Sequence, residues 1–277
     1  MLTILDIKER RYKSKILRVF SCFMANSLSD EILQSGDIRV RYLKYINRNS
    51  KVNYKKIDKL VGAQRNHILC NEKLKLPSTL SFKRFKSDEY KVRLCTNTAL
   101  ALLASSKRVN YNIGLIDEKA HHTALPRYIL RYTDTLVVVS TNTDVYSDVA
   151  KELLEEIGAP IRLSKTAKSL YNCDIIIAPE GIAQGISTKD DCLILTTKKP
   201  EFSVNSKVIF DYSVRLSSAL SKSCPEGIDE TYFASALYTI GHRFELGSLV
   251  PGVCVTNDRV HTFSSLKNLL DNISIKS

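Results

Sequence analysis

The residues of this chain best suited to chemistry are two adjacent histidines, His121 and His122, and a carboxylate further on, Glu180, followed at once by Gly181. Imidazoles titrate near neutrality, so a histidine pair in a loop can bind phosphate, hold a metal or move protons. Adjacent histidines on an extended loop point apart, however, and no third ligand stands at a sensible spacing, so no metal site is expected. Glu180 is a general base only where burial raises its pKa. Gly181 and Gly185 let the backbone come close to a ligand, or serve simply to turn the chain. The sequence contains no phosphate loop, no Gly-x-Ser-x-Gly elbow, no His-Glu-x-x-His and no calcium loop. No catalytic residue is assigned, and whether the chain is an enzyme stays open.

The elements that must position these residues are easier to read. Tyr111–Ile116, Thr135–Ser140, Ile161–Leu163, Cys173–Ala178 and Cys192–Thr197 are short apolar runs that alternate with helical segments. This rhythm predicts a parallel sheet with helices on both faces, a Rossmann-like α/β fold. Thr141 to Asp144 should cap a helix whose Val145, Val149, Leu153 and Ile157 face the core, with Gly158 and Pro160 ending it. In such sheets ligands bind beyond the carboxyl ends of the strands, where the strand order reverses. That rule selects the loops Asp117–His122, Thr141–Asp144 and Pro179–Gly185. The candidate ligand-binding residues are Gly114, Asp117, His121, His122, Thr141, Asn142, Thr143, Pro179, Glu180 and Gly181.

The run Thr135–Ala183 resembles the second half of a Rossmann NAD(P) domain, nearest to that of shikimate dehydrogenase and glutamyl-tRNA reductase. The matching positions are Thr141-Asn142-Thr143 at one strand end and Asp174-Ile175-Ile176-Ile177-Ala178-Pro179-Glu180-Gly181 at another. The resemblance implies NAD or NADP as cofactor and a divergent oxidoreductase as function. Three departures stand against it. Where Gly-x-Gly-x-x-Gly should cradle the pyrophosphate, this chain has Gly114-Leu115-Ile116-Asp117-Glu118-Lys119, one glycine followed by two acids. Thr141 and Asn142 replace the ribose-binding acid, and no arginine stands ready for a 2′-phosphate. The lysine–aspartate pair of the first family and the cysteine context of the second are absent from the N-terminal half, so the cofactor is left unassigned.

That half reads as a smaller, basic α+β domain over residues 1–108, followed by the Rossmann-like domain over 109–277, whose tail after 245 can pack on the first. Residues 1–110 hold 24 Lys/Arg against 9 Asp/Glu, a net of +15, whereas the rest holds 17 against 20, a net of −3. Such asymmetry suits contact with a polyanion, or equally a solvated surface. An amphipathic helix is expected around Ile16–Met24 and a strand over Ile38–Ile46 with one wet, basic face. Arg39, Arg41 and Lys44 beside Tyr42 give the mix of cation and aromatic ring that single-stranded nucleic acid uses. Lys51–Tyr54 is expected to pair back as a hairpin.

Seven cysteines at wide spacings form neither a disulfide framework nor a zinc site, and fit a reducing cytoplasm. The longest apolar-leaning stretch, Ile16–Ala25, is broken by Arg18 and falls far short of a membrane span, and no signal peptide is expected from it. Three functions remain in order: a Rossmann-like protein binding a small nucleotide or phosphorylated ligand, a non-catalytic binding or scaffold protein, and a nucleic-acid binder acting through the basic N-terminal domain.

Overall fold

The computed structural model describes residues 2–9, 20, 24–35, 38–48, 52–62, 65–66, 68–108, 110–183, 185–216, 218–241, 251–257 and 259–273. The amphipathic segment expected around 16–24 lies outside them except for Phe20 and Met24. The chain divides into two units: residues 1–87 with 215–243, and residues 88–214 with 244–277.

The smaller unit is built on a four-stranded sheet of order β2-β3-β1-β4, comprising β1 (Leu2–Glu9), β2 (Ser27–Ser35), β3 (Ile38–Asn47) and β4 (Ile68–Cys70). β1 runs parallel to β3 and β4, and β2 pairs antiparallel with β3. Alternation along β3 sends its side chains to two different cores. Leu43 and Tyr45 pack with Ile57 and Val61 of helix α1 (Tyr54–Val61). Val40 joins Leu2 and Ile4 against Phe233 and Ala236 of a later helix, Glu230–Ile240. The expected wet face of this strand is therefore only partly open: Arg39 stays exposed while Arg41 is half-buried, because a helix lies over each side of the sheet. The expected hairpin is also replaced. Val52 and Asn53 lead into α1, Asn53 capping it by accepting from the Lys56 amide, and the strand's partners come from residues 2–9 and 27–35 instead.

The larger unit is the Rossmann-like one. It opens with α2 (Asp88–Ser105) and continues through β5 (Ile113–Ile116), α3 (Leu125–Ile129), β6 (Leu136–Val139), α4 (Thr143–Ile157) and β7 (Ile161–Ser164). β8 (Ile175–Ala178), β9 (Leu193–Thr196) and β10 (Lys207–Ser213) follow. The smaller unit's α5 (Ser218–Ser223) and α6 (Glu230–Ile240) come next in the chain, before β11 (Val253–Thr256), β12 (Val260–Thr262) and α7 (Phe263–Ile273). The eight-stranded sheet has the order β12-β11-β10-β9-β8-β5-β6-β7. From β7 to β10 all neighbours are parallel, and β11 and β12 add an antiparallel edge. In chain order the parallel strands read 3-2-1-4-5-6, the arrangement that defines the Rossmann fold, with the reversal between β5 and β8.

The inner strands β5, β6, β8 and β9 are almost wholly apolar because every position in them is buried on one face or the other. On one face Ile116, Val137, Val139, Ile176, Ala178, Ile194 and Val208 form a core with Leu170 of a short 3-10 turn, Ala167–Leu170. At the amino end of β8, Asp174 is 1% exposed and takes the Asn112 amide at 2.9 Å and the Lys189 ammonium at 2.5 Å. The acid of the Asp-Ile-Ile run thus ties strands together at the end of the sheet away from any ligand.

Two expectations shift here. The division falls at Ser87/Asp88 rather than after Arg108, because Leu94, Cys95 and Leu102 of α2 are core residues of the larger unit. Residues 251–273 belong to that unit too, since β11 pairs with β10, whereas 215–243 joins the first. On α4 only Tyr146 and Leu153 are buried, while Val145 and Ile157, expected inside, are 45% and 51% exposed. The helix rests on the side of Tyr146 and Leu153 instead.

Candidate functional site

β5 ends at Ile116 and delivers Asp117, 1% exposed, to the carboxyl edge of the sheet. Its carboxylate accepts from the His121 amide at 3.0 Å, the His122 amide at 2.7 Å and the Tyr146 phenol at 2.6 Å. A buried carboxylate needs such donors, and here they curl the chain into a tight loop, with Ala120 in the left-handed region at φ +58°. Burial, and then the bond to Asp117, pushes the Tyr146 phenol well above its usual pKa.

The loop is clasped from the far side by the residues after β6. Ser140 Oγ, Thr141 Oγ1 and the Thr141 amide all donate to the Glu118 carbonyl, the last at 3.1 Å, and the Asn142 amide group donates to the Lys119 carbonyl at 3.1 Å. Asn142 sits at the N-cap of α4 but makes no capping bond, because its side chain is spent on this clasp.

Because the loop is curled, both histidine rings meet one carboxylate, and the expectation that they point apart is overturned. His121 Nδ1 donates to Glu180 Oε1 at 2.5 Å, and His122 Nε2 lies 3.6 Å from the same oxygen. The rings cross at 78° with centroids 6.5 Å apart. Exposure rises outward, from 20% at the His122 side chain to 38% at Glu180 and 55% at His121. His122 Nε2 is buried without a hydrogen-bond partner among the described residues. Burial pulls the pKa of His122 down, against the opposing fields of Asp117 and Glu180, so the ring is held neutral.

Glu180 itself is set by the turn after β8. Gly181 adopts φ +107° and its amide closes the turn onto the Ala178 carbonyl at 3.1 Å, while Thr197 Oγ1 holds the Pro179 carbonyl at 2.8 Å. Together the ends of β5, β8 and β9 and the first turns of α2 enclose a cleft of about 1280 Å³, wholly within the larger unit. It lies at the point where the strand order reverses, as the sheet rule requires.

Five of the ten candidate residues line this cleft: His121, His122, Pro179, Glu180 and Gly181. The other five do not. Gly114 sits inside β5, where an added Cβ would come within 2.5 Å of Leu170 Cδ2, so this glycine serves packing. Asp117, Thr141 and Asn142 hold the loop, and Thr143 opens α4 with its carbonyl bound by Ser147 Oγ. Sequence reasoning missed Lys119, Lys198, Lys199 and Arg93, which also line the cleft. The doublet Lys198-Lys199 follows directly on an apolar strand and was open to the same rule. Arg93 is brought there by helix packing, for which no local signal exists.

A dinucleotide does not fit these residues. The pyrophosphate-binding turn of a Rossmann domain needs glycine backbone and a helix N-terminus behind it. Here the backbone amides of His121 and His122 are spent on Asp117, and α3 is a five-residue helix. The side of β6 that would receive the adenosine ribose is covered by Glu118 and Lys119, whose carbonyls occupy Thr141 and Asn142.

The basic strand in the smaller unit does not form one surface. Arg39 and Arg41 project to the side opposite Tyr42 and Lys44. Arg41 is engaged twice over, binding both carboxylate oxygens of Asp30 at 2.9 and 2.6 Å and the Leu60 carbonyl at 2.8 Å. Tyr42 donates to Asp6 at 3.0 Å.

No protein-family model matches the chain, and no curated protein matches it. Among solved structures, L-tryptophan dehydrogenase from Nostoc punctiforme shares 12% identity at a TM-score of 0.33, covering 87% of this chain and 73% of that one. A Δ1-pyrroline-2-carboxylate reductase from Thermococcus litoralis, in complex with NADH and L-proline, shares 13% at 0.30, covering 65% and 60%. Phosphoglycerate oxidoreductase from Vibrio cholerae O395 shares 12% at 0.32, covering 80% of each. Likeness this slight says nothing of function. The fold rests on the strand order itself: this is a Rossmann-like α/β protein with a second, smaller sheet.

Proposed function

We propose that the protein binds a small phosphorylated metabolite, of mononucleotide size or less, in the cleft beyond β5, β8 and β9. One observation carries the reading. Lys91, Arg93, Lys119 and Lys198 line the cleft, and none has a carboxylate within ion-pair distance among the described residues. Cations gathered in a concave, partly dry site attract an anion more strongly than the same charges spread in water. Asp88, Glu89, Glu118, Glu180 and Glu201 share the lining, so the ligand offers hydroxyl or amine donors beside its anionic group. The resemblance of Thr135–Ala183 to the shikimate dehydrogenase and glutamyl-tRNA reductase type is, on this reading, one of scaffold rather than cofactor. Among the described residues no helix is long and apolar enough to cross a membrane. Buried free thiols such as Cys173 and Cys192 support a cytoplasmic setting.

The test is calorimetric titration with inorganic phosphate, ribose 5-phosphate, phosphoserine, AMP, NMN, NAD and NADP at low salt. At least one monophosphate should bind, and replacing Lys119 and Lys198 together by Gln should weaken it at least tenfold. Tighter binding of NAD or NADP than of every monophosphate would overturn the reading.

A further inference from the structure

We propose that the cleft is catalytic and that His122, with Glu180 behind it, moves a proton on and off a carbon next to a carbonyl or carboxylate of the bound metabolite. The inference rests on the binding reading above and adds a reaction class to it: a cofactor-independent isomerisation, epimerisation or elimination begun by C–H abstraction. Three features of the His121–Glu180–His122 group carry it.

The first is preorganisation. The main chain of both histidines is fixed by the Asp117 carboxylate, itself locked by Tyr146, so the imidazoles sit on a rigid edge of the sheet. The second is the orphaned atom. A buried imidazole nitrogen without a hydrogen bond is costly in a resting protein, and active sites are where such costs are tolerated. The 3.6 Å gap from His122 Nε2 to Glu180 Oε1 is that of a contact which closes when the ring becomes charged; catalytic bonds are commonly long before substrate arrives. The third is the order of exposure. His122 is the least exposed of the three side chains, Glu180 next and His121 the most, so the base is the most desolvated and its carboxylate partner stays in touch with solvent.

The step balances without an oxidant or reductant. Neutral His122, its Nε2–H turned toward Glu180, accepts the proton from carbon at Nδ1, and the C–H electron pair moves onto the neighbouring carbonyl oxygen. The oxyanion is met by the unpaired ammonium of Lys198 or Lys119, both in the cleft lining. The imidazolium is stabilised by Glu180, whose orientation His121 maintains through its Nδ1–H. The proton then returns to carbon on the same face, on the opposite face through water, or at an adjacent atom. Asp117, His121, Glu180 and Arg93 are the charged and titratable groups whose fields reach His122.

Proton abstraction can be read without knowing the natural reaction. Ribose 5-phosphate, glyceraldehyde 3-phosphate, phosphoserine and pyruvate are incubated with the protein in D2O, and loss of the proton next to the carbonyl or carboxylate is followed by NMR. The same four compounds are titrated by calorimetry. At least one should bind and exchange above the protein-free rate. H122N should slow that exchange by about a hundredfold or more, the range a positioned base contributes, while leaving affinity within about fivefold. E180Q should slow it at least tenfold, and H121N less than either. A compound that binds but does not exchange, or exchange that survives H122N, overturns the proposal and leaves the binding reading standing. If none of the four binds while another monophosphate does, this proposal fails and the binding reading stands; if no phosphorylated compound binds at all, both fail. Unchanged circular dichroism of each variant separates loss of chemistry from loss of fold.

Discussion

The Tyr146 phenol donates to the Asp117 carboxylate across 2.6 Å of buried space, joining the first turn of α4 to the loop that carries both histidines. This bond accounts for Tyr146 turning inward beside Leu153 where the pattern would have buried Val145 and Ile157. Hydrogen bonds to charged groups are worth about 1.5–3 kcal/mol. Tyr146→Phe should therefore lower stability by about that amount in urea unfolding, and should speed amide exchange at His121 and His122. Unchanged exchange at those two amides would mean the loop is held by something other than Asp117.

Gly114 yields a packing prediction. A methyl group there would meet Leu170 Cδ2 at 2.5 Å and Cys173 Sγ at 3.2 Å. Overpacking of this kind costs about 1–3 kcal/mol. Gly114→Ala should be destabilising in that range, and Leu170→Ala should relieve it, so the double variant should be more stable than the sum of the singles predicts. Strictly additive losses would show that the two sites do not touch.

The larger unit was legible because its signals are local. The inner strands are short, fully buried runs, and the sheet rule places His121, His122, Glu180 and Gly181 at one edge without any knowledge of contacts. Gly114, Thr141 and Asn142 occupy places in a family pattern, but what they do is set by their partners, which the pattern does not show. Those partners, Leu170, Glu118 and Lys119, depend on how the loop folds back. In the smaller unit the failure is one of range. β1 pairs with β3 about forty residues away, and nothing in Leu2–Glu9 announces it. Nor does alternation alone say that a polar-looking strand face will be roofed by α1. Arg39 and Arg41 beside Tyr42 and Lys44 looked like one patch only while both faces of β3 were free to be wet.

Arg41 tests that correction directly. Its guanidinium grips Asp30 with two bonds and the Leu60 carbonyl with a third, a cation placed at the carboxyl end of α1 where the helix dipole favours it. Asp30 is partly exposed, so the pair is screened and worth no more than about 1 kcal/mol. Arg41→Gln should cost roughly that in stability, and should leave retention on heparin and on single-stranded DNA unchanged at every salt concentration. A flatter salt dependence of retention would return Arg41 to a polyanion-binding surface.

His122 gives the protein a pH signature of its own. Burial holds its folded pKa below the unfolded value of about 6.5. Between those two values the unfolded chain binds more protons than the folded one, so stability rises with pH across the window and the gain is complete above the unfolded pKa. Acidification from pH 7.5 to 5 should then weaken wild type more than His122→Asn, which has no proton to take up. The comparison uses urea midpoints at several pH values. Asp117, Glu180 and His121 remain in both proteins, so their contributions cancel to first order and the difference isolates one ring. Parallel pH profiles would mean that His122 ionises as freely in the fold as in the open chain, and that the neutral, desolvated imidazole on which the proton-transfer proposal depends does not exist.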